Sequence, residues 1–278
     1  WRDASSAKLQ EKYFKESHVR WSELLRLPYW CPTRFVTIDS MHSLYLGMFQ
    51  RHCRIVWGMD SSIADGDGVT FDTTIGGPAE DNECIIKVKR APGRYAGKRS
   101  RVLGKETLRE VMADMSRTTL PTWVSAGPKN PGSKGQGRLK ADEWKTLCTI
   151  RLPISLIRLW GTRPPGSRTR EVLMNYMDLV HAVQLASLRE LTPLQVERYE
   201  FYMHRYLTRL LELYPGTSIS PYQHLSLHFG EHLRRWGPPH SWRCYAFERF
   251  NGLMQNIPTN SKFGENVLIN FPIFYTHR

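Results

Sequence analysis

Apolar residues recur at helical spacing through most of the second half of the chain. The spacing is close to the period of about 3.6 residues expected for amphipathic helices. These apolar stripes occupy residues 144–160, 171–188 and 194–213. Thr192-Pro-Leu-Gln and Ser220-Pro-Tyr-Gln each supply a capping hydroxyl, a proline at the first helical position and a glutamine three residues after the cap. We therefore predict that residues 140–240 are almost wholly helical.

The first part of the chain has a more mixed pattern. Residues 1–27 are amphipathic and end before Pro28, which disfavours helix at the preceding residue, so we predict a helix followed by a turn. The run Phe35-Val-Thr-Ile-Asp is β-prone, and apolar residues at helical spacing follow it from Met41. We expect a short extended segment that enters a long buried helix. Another helix is predicted near residues 107–117.

Two segments have the composition of loops. Residues 60–82 set acidic residues among glycine, serine and threonine, and residues 127–140 are dense in glycine, proline and lysine. The sequence therefore predicts a mainly α fold in four parts. These are a first segment (1–59), a loop-rich basic segment (60–139), a helical region (140–240) and a C-terminal segment (241–278).

The charge balance favours a polyanionic partner. The 278 residues include 39 Lys and Arg against 26 Asp and Glu, which gives a net charge of +13 and a pI near 9.7. Five widely spaced cysteines without a CxxC pair argue against a disulfide framework. With no run of eighteen apolar residues and a polar, charged beginning, we expect an intracellular protein without a membrane span or signal peptide.

Asp39-Ser-Met-His42 is the first group of residues that can carry chemistry. The acid ends an apolar extended run and the histidine follows three positions later, so Asp39 is placed to reach a metal ion. The alternative is that Asp39 caps the helix that begins near Ser40, with His42 hydrogen-bonded inside the fold. The motif is short and does not decide between the two.

A histidine series forms the second group. His224, His228 and His232 follow one another at four-residue spacing, which places the three rings on one helical face. Two such histidines can share a metal ion, but zinc needs about three or four ligands. A histidine pair is therefore half a site, and a polar helix face is the alternative.

The third group is Tyr245-Ala-Phe-Glu248-Arg-Phe-Asn-Gly, in which one carboxylate stands among aromatic residues expected to bury its flanks. A buried glutamate usually has a partner or a metal ion. Arg249 is the alternative partner, which would make the pair a structural salt bridge.

Together these segments resemble the CACTA-type Asp-Asp-Glu DNA transposases of mushroom-forming fungi. The resemblance rests on LPYWCPTRFVTIDSMHSLYLG, RLKADEWKTL, HLSLHFGEHLRRWGPP and YAFERFNGLMQNIPTN, and it spans most of the chain. It implies a ribonuclease H-like core interrupted by a mainly helical insertion before the last acid. The chain would then hold the helical insertion domain and the C-terminal remnant of that core.

The resemblance also assigns residues. Glu248 becomes the catalytic acid that binds Mg²⁺, and His224 and His228 become the histidine half of a structural Zn²⁺ site whose other half is a CxxC. Asp39 and His42 match the DxxH motif of the family, whose role we leave open. The complete parent would cleave a phosphodiester at the element ends and join the 3′ hydroxyl to target DNA in the nucleus. The resemblance also allows a homo-oligomer of that parent.

The chain departs from the family where its first two catalytic acids and the CxxC should precede the DxxH motif, so we expect a fragment that is inactive alone. Two alternatives stay open. The chain is a decayed or co-opted remnant that binds nucleic acid or protein, or Asp39 is itself the second catalytic acid. Basic residues expected to contact DNA, with solvated charge as the alternative, are Lys87, Lys89, Arg90, Arg94, Lys98, Arg99 and Arg101.

Overall fold

Helices predominate in the computed structural model of the chain. The model describes residues 4–17, 21–59, 102–133 and 138–256. Within these ranges there is no β-strand, and the fold is mainly α, as the sequence predicts. The chain divides into two compact units, Trp1–Ile38 and Asp39–Arg278. Among the described residues, no helix is long and apolar enough to span a membrane.

The first unit holds short helices that bury no residue. They are α1 (Ala7–Ser17), a 3₁₀ turn (Glu23–Arg26) and the one-turn helix α2 (Pro32–Phe35). The β-prone run from Phe35 forms no strand, because Phe35 closes α2 and Val36 is extended without a strand partner in the described residues. Pro32 at the first helical position favours the helix start that overrides the β propensity.

The second unit is built, in its described part, from seven longer helices and a 3₁₀ turn at Pro239–Ser241. The helices are α3 (Met41–Gln50, continuing through His52–Val56), α4 (Lys105–Arg117), α5 (Ala141–Thr146, Leu147–Arg151 and Leu152–Trp160 in one run), α6 (Arg168–Ala186), α7 (Pro193–Leu213), α8 (Pro221–Trp236) and α9 (Tyr245–Gln255). Helix α4 confirms the helix predicted near residues 107–117. Helices α5 to α8 fill most of residues 140–240, which confirms the predicted helical region.

The predicted helix starts at α7 and α8 are formed as capping boxes. The Thr192 hydroxyl accepts from the N–H of Gln195 at 3.3 Å, and the Gln195 side chain accepts from the N–H of Thr192 at 2.7 Å. Ser220 and Gln223 repeat the arrangement at 3.4 and 2.9 Å. The caps hold because they depend only on residues three positions apart.

Helices α3 and α5 contain stretches of π-type hydrogen bonding. In α3 the N–H of Trp57 donates to the carbonyl of His52 at 2.9 Å, and in α5 the N–H of Leu152 donates to the carbonyl of Leu147. The two stretches meet in the interior, where the Cys53 and Cys148 sulfurs lie 3.6 Å apart. Burial raises the pKa of the Cys148 thiol, so this cysteine is a small core residue.

The core lies where α6 packs on α7, α7 on α8, and α3 on α5 and α8. Large aromatic side chains fill it, and most of their polar atoms find partners, whereas the Trp144 indole N–H has none in the described residues. The Trp57 indole N–H donates to the Tyr214 hydroxyl at 2.7 Å, and the Tyr199 hydroxyl donates to the Ser226 carbonyl at 2.6 Å. Helix α8 approaches α3 at Gly47, where an added Cβ would lie 2.6 Å from Cγ of Tyr222.

One histidine is enclosed in this core. His52 is completely buried, and its Nδ1 lies 2.9 Å from the Tyr206 hydroxyl, while Nε2 has no hydrogen-bond partner in the described part of the chain. Burial lowers the pKa of His52 from 6.5 to about 3, because the interior cannot solvate an imidazolium. The ring is therefore neutral at physiological pH.

Two ion pairs differ in the burial of their carboxylates. The Asp178 carboxylate on α6 is 2% exposed and accepts at 2.8 Å from Nε of Arg205 on α7, whose side chain is 39% exposed. The pair between Glu200 and Arg234 has side chains 36% and 49% exposed. Since a buried carboxylate without a cation is costly, the first pair matters for stability and the second matters little.

Candidate functional site

The Asp39 carboxylate joins the start of α3 to the start of α9. One oxygen, Oδ2, accepts from the backbone N–H of His42 and contacts the ring nitrogen Nδ1 of His42, both at 2.9 Å. The other oxygen accepts from the backbone N–H of Cys244 at 2.8 Å, although Asp39 and Cys244 are 205 positions apart in sequence. Only 10% of the Asp39 side chain is exposed. Asp39 therefore caps α3 and fixes the His42 ring, but the His42 side chain is 44% exposed and does not lie inside the fold as the capping alternative had it.

Glu248 lies on the opposite side of the same histidine. It stands in the first turn of α9, and its Oε1 lies 3.7 Å from Nε2 of His42. The Glu248 and His42 side chains are 52% and 44% exposed. The DxxH motif and the glutamate motif, which are remote in sequence, thus form one cluster that is open to solvent.

One alternative and one expectation about Glu248 are wrong. No ion pair joins it to Arg249 in the described residues, and its carboxylate faces Nε2 of His42 instead. The neighbouring rings do not bury its flanks either, because Phe247 is 69% exposed and Phe250 is 55% exposed. The physical reason is that α9 buries none of its residues. Glu248 is consequently a solvent-accessible carboxylate and not a buried one.

Helix α9 is held by polar contacts at its start. The Tyr245 hydroxyl donates to Oδ1 of Asp142 on α5 at 2.7 Å, and the Cys244 N–H donates to Asp39. Burial raises the pKa of the Cys244 thiol, and the adjacent Asp39 carboxylate raises it further. Cys244 therefore remains a protonated thiol at neutral pH. Cys244 and Tyr245 position the site, and their contacts with Asp39 and Asp142 carry no signal in the sequence.

The histidine pair on α8 is oriented as predicted. The Nε2 atoms of His224 and His228 lie 3.3 Å apart, so the two rings face the same way on an exposed part of the helix. His232 lies beside Trp242 instead, with 6.4 Å between ring centroids, and burial lowers its pKa. In the described ranges no three His, Cys, Asp or Glu side chains converge as metal ligands. The pair could supply two ligands to a metal ion, and no further ligand side chain joins it in the part of the chain that the structure describes.

The basic residues predicted to contact DNA lie outside the described residues. They are Lys87, Lys89, Arg90, Arg94, Lys98, Arg99 and Arg101.

Comparisons of the chain with protein-family models, with characterised proteins and with solved structures gave no match. The site must therefore be judged by its own chemistry. It presents the accessible carboxylate of Glu248 and the imidazole of His42, whose Nδ1 contacts the Asp39 carboxylate. The thiol of Cys244 beside them is protonated. Such a set can hold a divalent cation or exchange a proton, but it provides no activated nucleophile.

Proposed function

We propose that the chain is part of the catalytic region of a CACTA-type cut-and-paste DNA transposase and that Glu248 is its metal-binding acid. The carrying observation is the approach of the DxxH motif to this glutamate, with 3.7 Å between His42 Nε2 and Glu248 Oε1. Two motifs that the family resemblance singles out independently are brought together by the fold. An accessible carboxylate beside a fixed histidine suits binding of a divalent ion such as Mg²⁺.

In the complete parent, bound metal ions would polarise the scissile phosphate and activate the attacking oxygen. Glu248 would hold one such ion, and Asp39 would keep His42 oriented beside it. Two-metal phosphoryl transfer needs several carboxylates, and Asp39 is already engaged by three hydrogen bonds. The chain alone is therefore proposed to be inactive, and Asp39 is a poor candidate for a second catalytic acid.

The proposed division of the fold rests on the family resemblance. Helix α6 packs on α7 and α7 on α8, and α3 and α5 share the same core. Helix α9 buries no residue and exposes Phe247, Phe250 and Leu253. We assign α9 to the remnant of the ribonuclease H-like core and the His224–His228 pair to half of a structural Zn²⁺ site in the insertion.

DNA is the proposed partner, consistent with the net charge of +13, and the proposed location is the nucleus. We expect the chain to bind DNA weakly and to lose that binding steeply as salt rises, because counterion release dominates non-specific contacts. It should neither nick nor join DNA in Mg²⁺ or Mn²⁺. Filter binding across a salt series and a plasmid-nicking assay test both statements.

The decisive experiment uses the full-length parent encoded with its upstream reading frame. Glu248→Gln should abolish excision of the element while DNA binding stays unchanged, because the substitution removes a metal ligand and keeps the side-chain size. Glu231→Gln on α8 is the matched control, since Glu231 is also exposed but lies outside the Asp39–His42–Glu248 cluster. An active Glu248→Gln parent would refute the assignment.

A non-catalytic remnant is the second candidate function. It is favoured by the engagement of Asp39 in hydrogen bonds, which leaves Glu248 as the accessible carboxylate of the cluster. The upstream reading frame separates the two candidates. Two intact aspartates and a CxxC there support an enzyme, whereas degenerate codons at those positions support the remnant.

A further inference from the structure

The orientation of the His42 ring is fixed by one side of the cluster. Nδ1 lies 2.9 Å from Oδ2 of Asp39, and the Asp39 carboxylate is itself held by the backbone N–H groups of His42 and Cys244. A carboxylate accepts hydrogen bonds and does not donate them, so Nδ1 carries the proton in this contact. In the neutral ring, Nε2 is then the nitrogen with a free lone pair.

That lone pair faces another acceptor. Nε2 of His42 lies 3.7 Å from Oε1 of Glu248, which is longer than a hydrogen bond. Two electron-rich atoms that face each other across such a gap are stabilised by a cation placed between them. Histidine held by a carboxylate through its other nitrogen is also the usual arrangement of metal-binding histidines.

The separation of the two atoms suits shared coordination. Two ligand atoms bound at roughly 2.0–2.1 Å to one tetrahedral ion lie about 3.4 Å from each other. The observed 3.7 Å needs only a small adjustment, which the half-exposed Glu248 side chain can make. Exposure also lets water complete the coordination, which is required because no third ligand side chain converges in the described ranges.

We propose that His42 Nε2 and the Glu248 carboxylate bind one divalent transition-metal ion together, with Asp39 as the group that orients the imidazole. An imidazole ligand favours later ions such as Co²⁺ and Zn²⁺ over Mg²⁺, which prefers oxygen, while Mn²⁺ serves as a probe that accepts both kinds of ligand. The inference rests on the proposed function in taking Glu248 as a metal ligand, and it adds His42 and a preference among cations. Cys244 does not join His42 and Glu248 as a third ligand, since no three ligand side chains converge in the described part of the chain.

The test titrates Mn²⁺ and Co²⁺ into the whole chain. The background is His224→Ala with His228→Ala, which removes the other pair of metal ligands. Free Mn²⁺ is followed by electron paramagnetic resonance, and bound Co²⁺ by its visible absorption. Loss of an outer carboxylate partner weakens metal binding about 10- to 100-fold, so Asp39→Asn should fall in that range and His42→Ala should lose at least as much. His204→Ala, an exposed histidine on α7, is the control.

The outcomes separate this inference from the proposed function. Weaker binding in both His42→Ala and Glu248→Gln supports the shared site. If Glu248→Gln weakens binding and His42→Ala does not, the glutamate stands as a metal ligand and the role of His42 is refuted. If neither substitution weakens metal binding, the inference is overturned. It is also overturned if no ion binds because a protonated His42 ring joins the two carboxylates. Circular dichroism checks that each variant folds. If His42→Ala does not fold, broadening of the His42 ring resonances by Mn²⁺ in the chain that carries only His224→Ala and His228→Ala decides.

Discussion

His52 in the core should make the free energy of unfolding decrease as the pH falls. Replacing His52 by a residue that does not titrate should remove this decrease. His52 has its pKa lowered to about 3 by burial, against 6.5 for an ordinary histidine. Below pH 6.5 the unfolded chain takes up a proton at this position, while the folded chain does not until the pH approaches 3. The unfolded state thus binds more protons in this window, so folding stability is complete above pH 6.5 and is lost as pH falls.

The size of the effect follows from the same two values. One pKa unit corresponds to about 1.4 kcal/mol, and pH 5 lies about 1.5 units below the ordinary histidine value. The contribution of His52 to the free energy of unfolding should therefore drop by about 2 kcal/mol between pH 7.5 and pH 5. A loss of that size is a large share of the 5–15 kcal/mol that typically stabilises a folded protein.

Urea unfolding of the unsubstituted chain and of His52→Asn at pH 7.5, 6 and 5 measures this contribution. Asparagine keeps a polar group near the position of Nδ1, which faces Tyr206, and cannot titrate. The variant should be less stable at pH 7.5 because it lacks the ring, but the difference should shrink by about 2 kcal/mol at pH 5. His204→Asn, an exposed change on α7, should leave the pH dependence as in the parent. A difference between parent and His52→Asn that does not vary with pH would refute a buried neutral ring.

Other parts of the core give simpler expectations. Arg205→Met should lower the free energy of unfolding by about 1.5–3 kcal/mol, because it removes the cation that hydrogen-bonds a buried carboxylate, whereas Arg234→Met at the exposed pair should cost about 0–1 kcal/mol. Similar losses in urea unfolding of the two variants would contradict this reasoning. Gly47→Ala should lower the free energy of unfolding by about 1–3 kcal/mol, since its Cβ would lie 2.6 Å from Tyr222 Cγ. A thermal midpoint equal to that of the unsubstituted chain would show that α3 and α8 can move apart without cost.

Local features of the fold were predictable because they depend on neighbouring residues. The helices of residues 140–240 follow from apolar spacing, and the caps at Thr192 and Ser220 follow from residues three positions apart. Phe35 shows the limit of propensity, since a proline three positions earlier starts a helix where a β-prone run suggested extended chain. The π-type hydrogen bonds of α3 and α5 have no signal of this kind.

The candidate site was predictable in its residues but not in its assembly. Spacing alone places His224 and His228 on one face. The partner of Glu248 was not predictable, because Arg249 is its neighbour in sequence whereas His42 is its neighbour in space. The contact between Asp39 and Cys244 closes a loop of more than two hundred residues, and no local pattern encodes such a contact.

The attachment of α9 has a consequence for how the site responds to a ligand. An isolated helix of 11 residues is marginal in water, and α9 buries no residue, so the polar contacts of Cys244 and Tyr245 provide much of its anchorage. We expect α9 to open locally at a far lower free energy than α7. Any ion or partner that binds Glu248 in the closed arrangement then stabilises α9 in proportion to its own concentration. Binding of a ligand at the cluster and ordering of α9 would then be coupled in a single equilibrium.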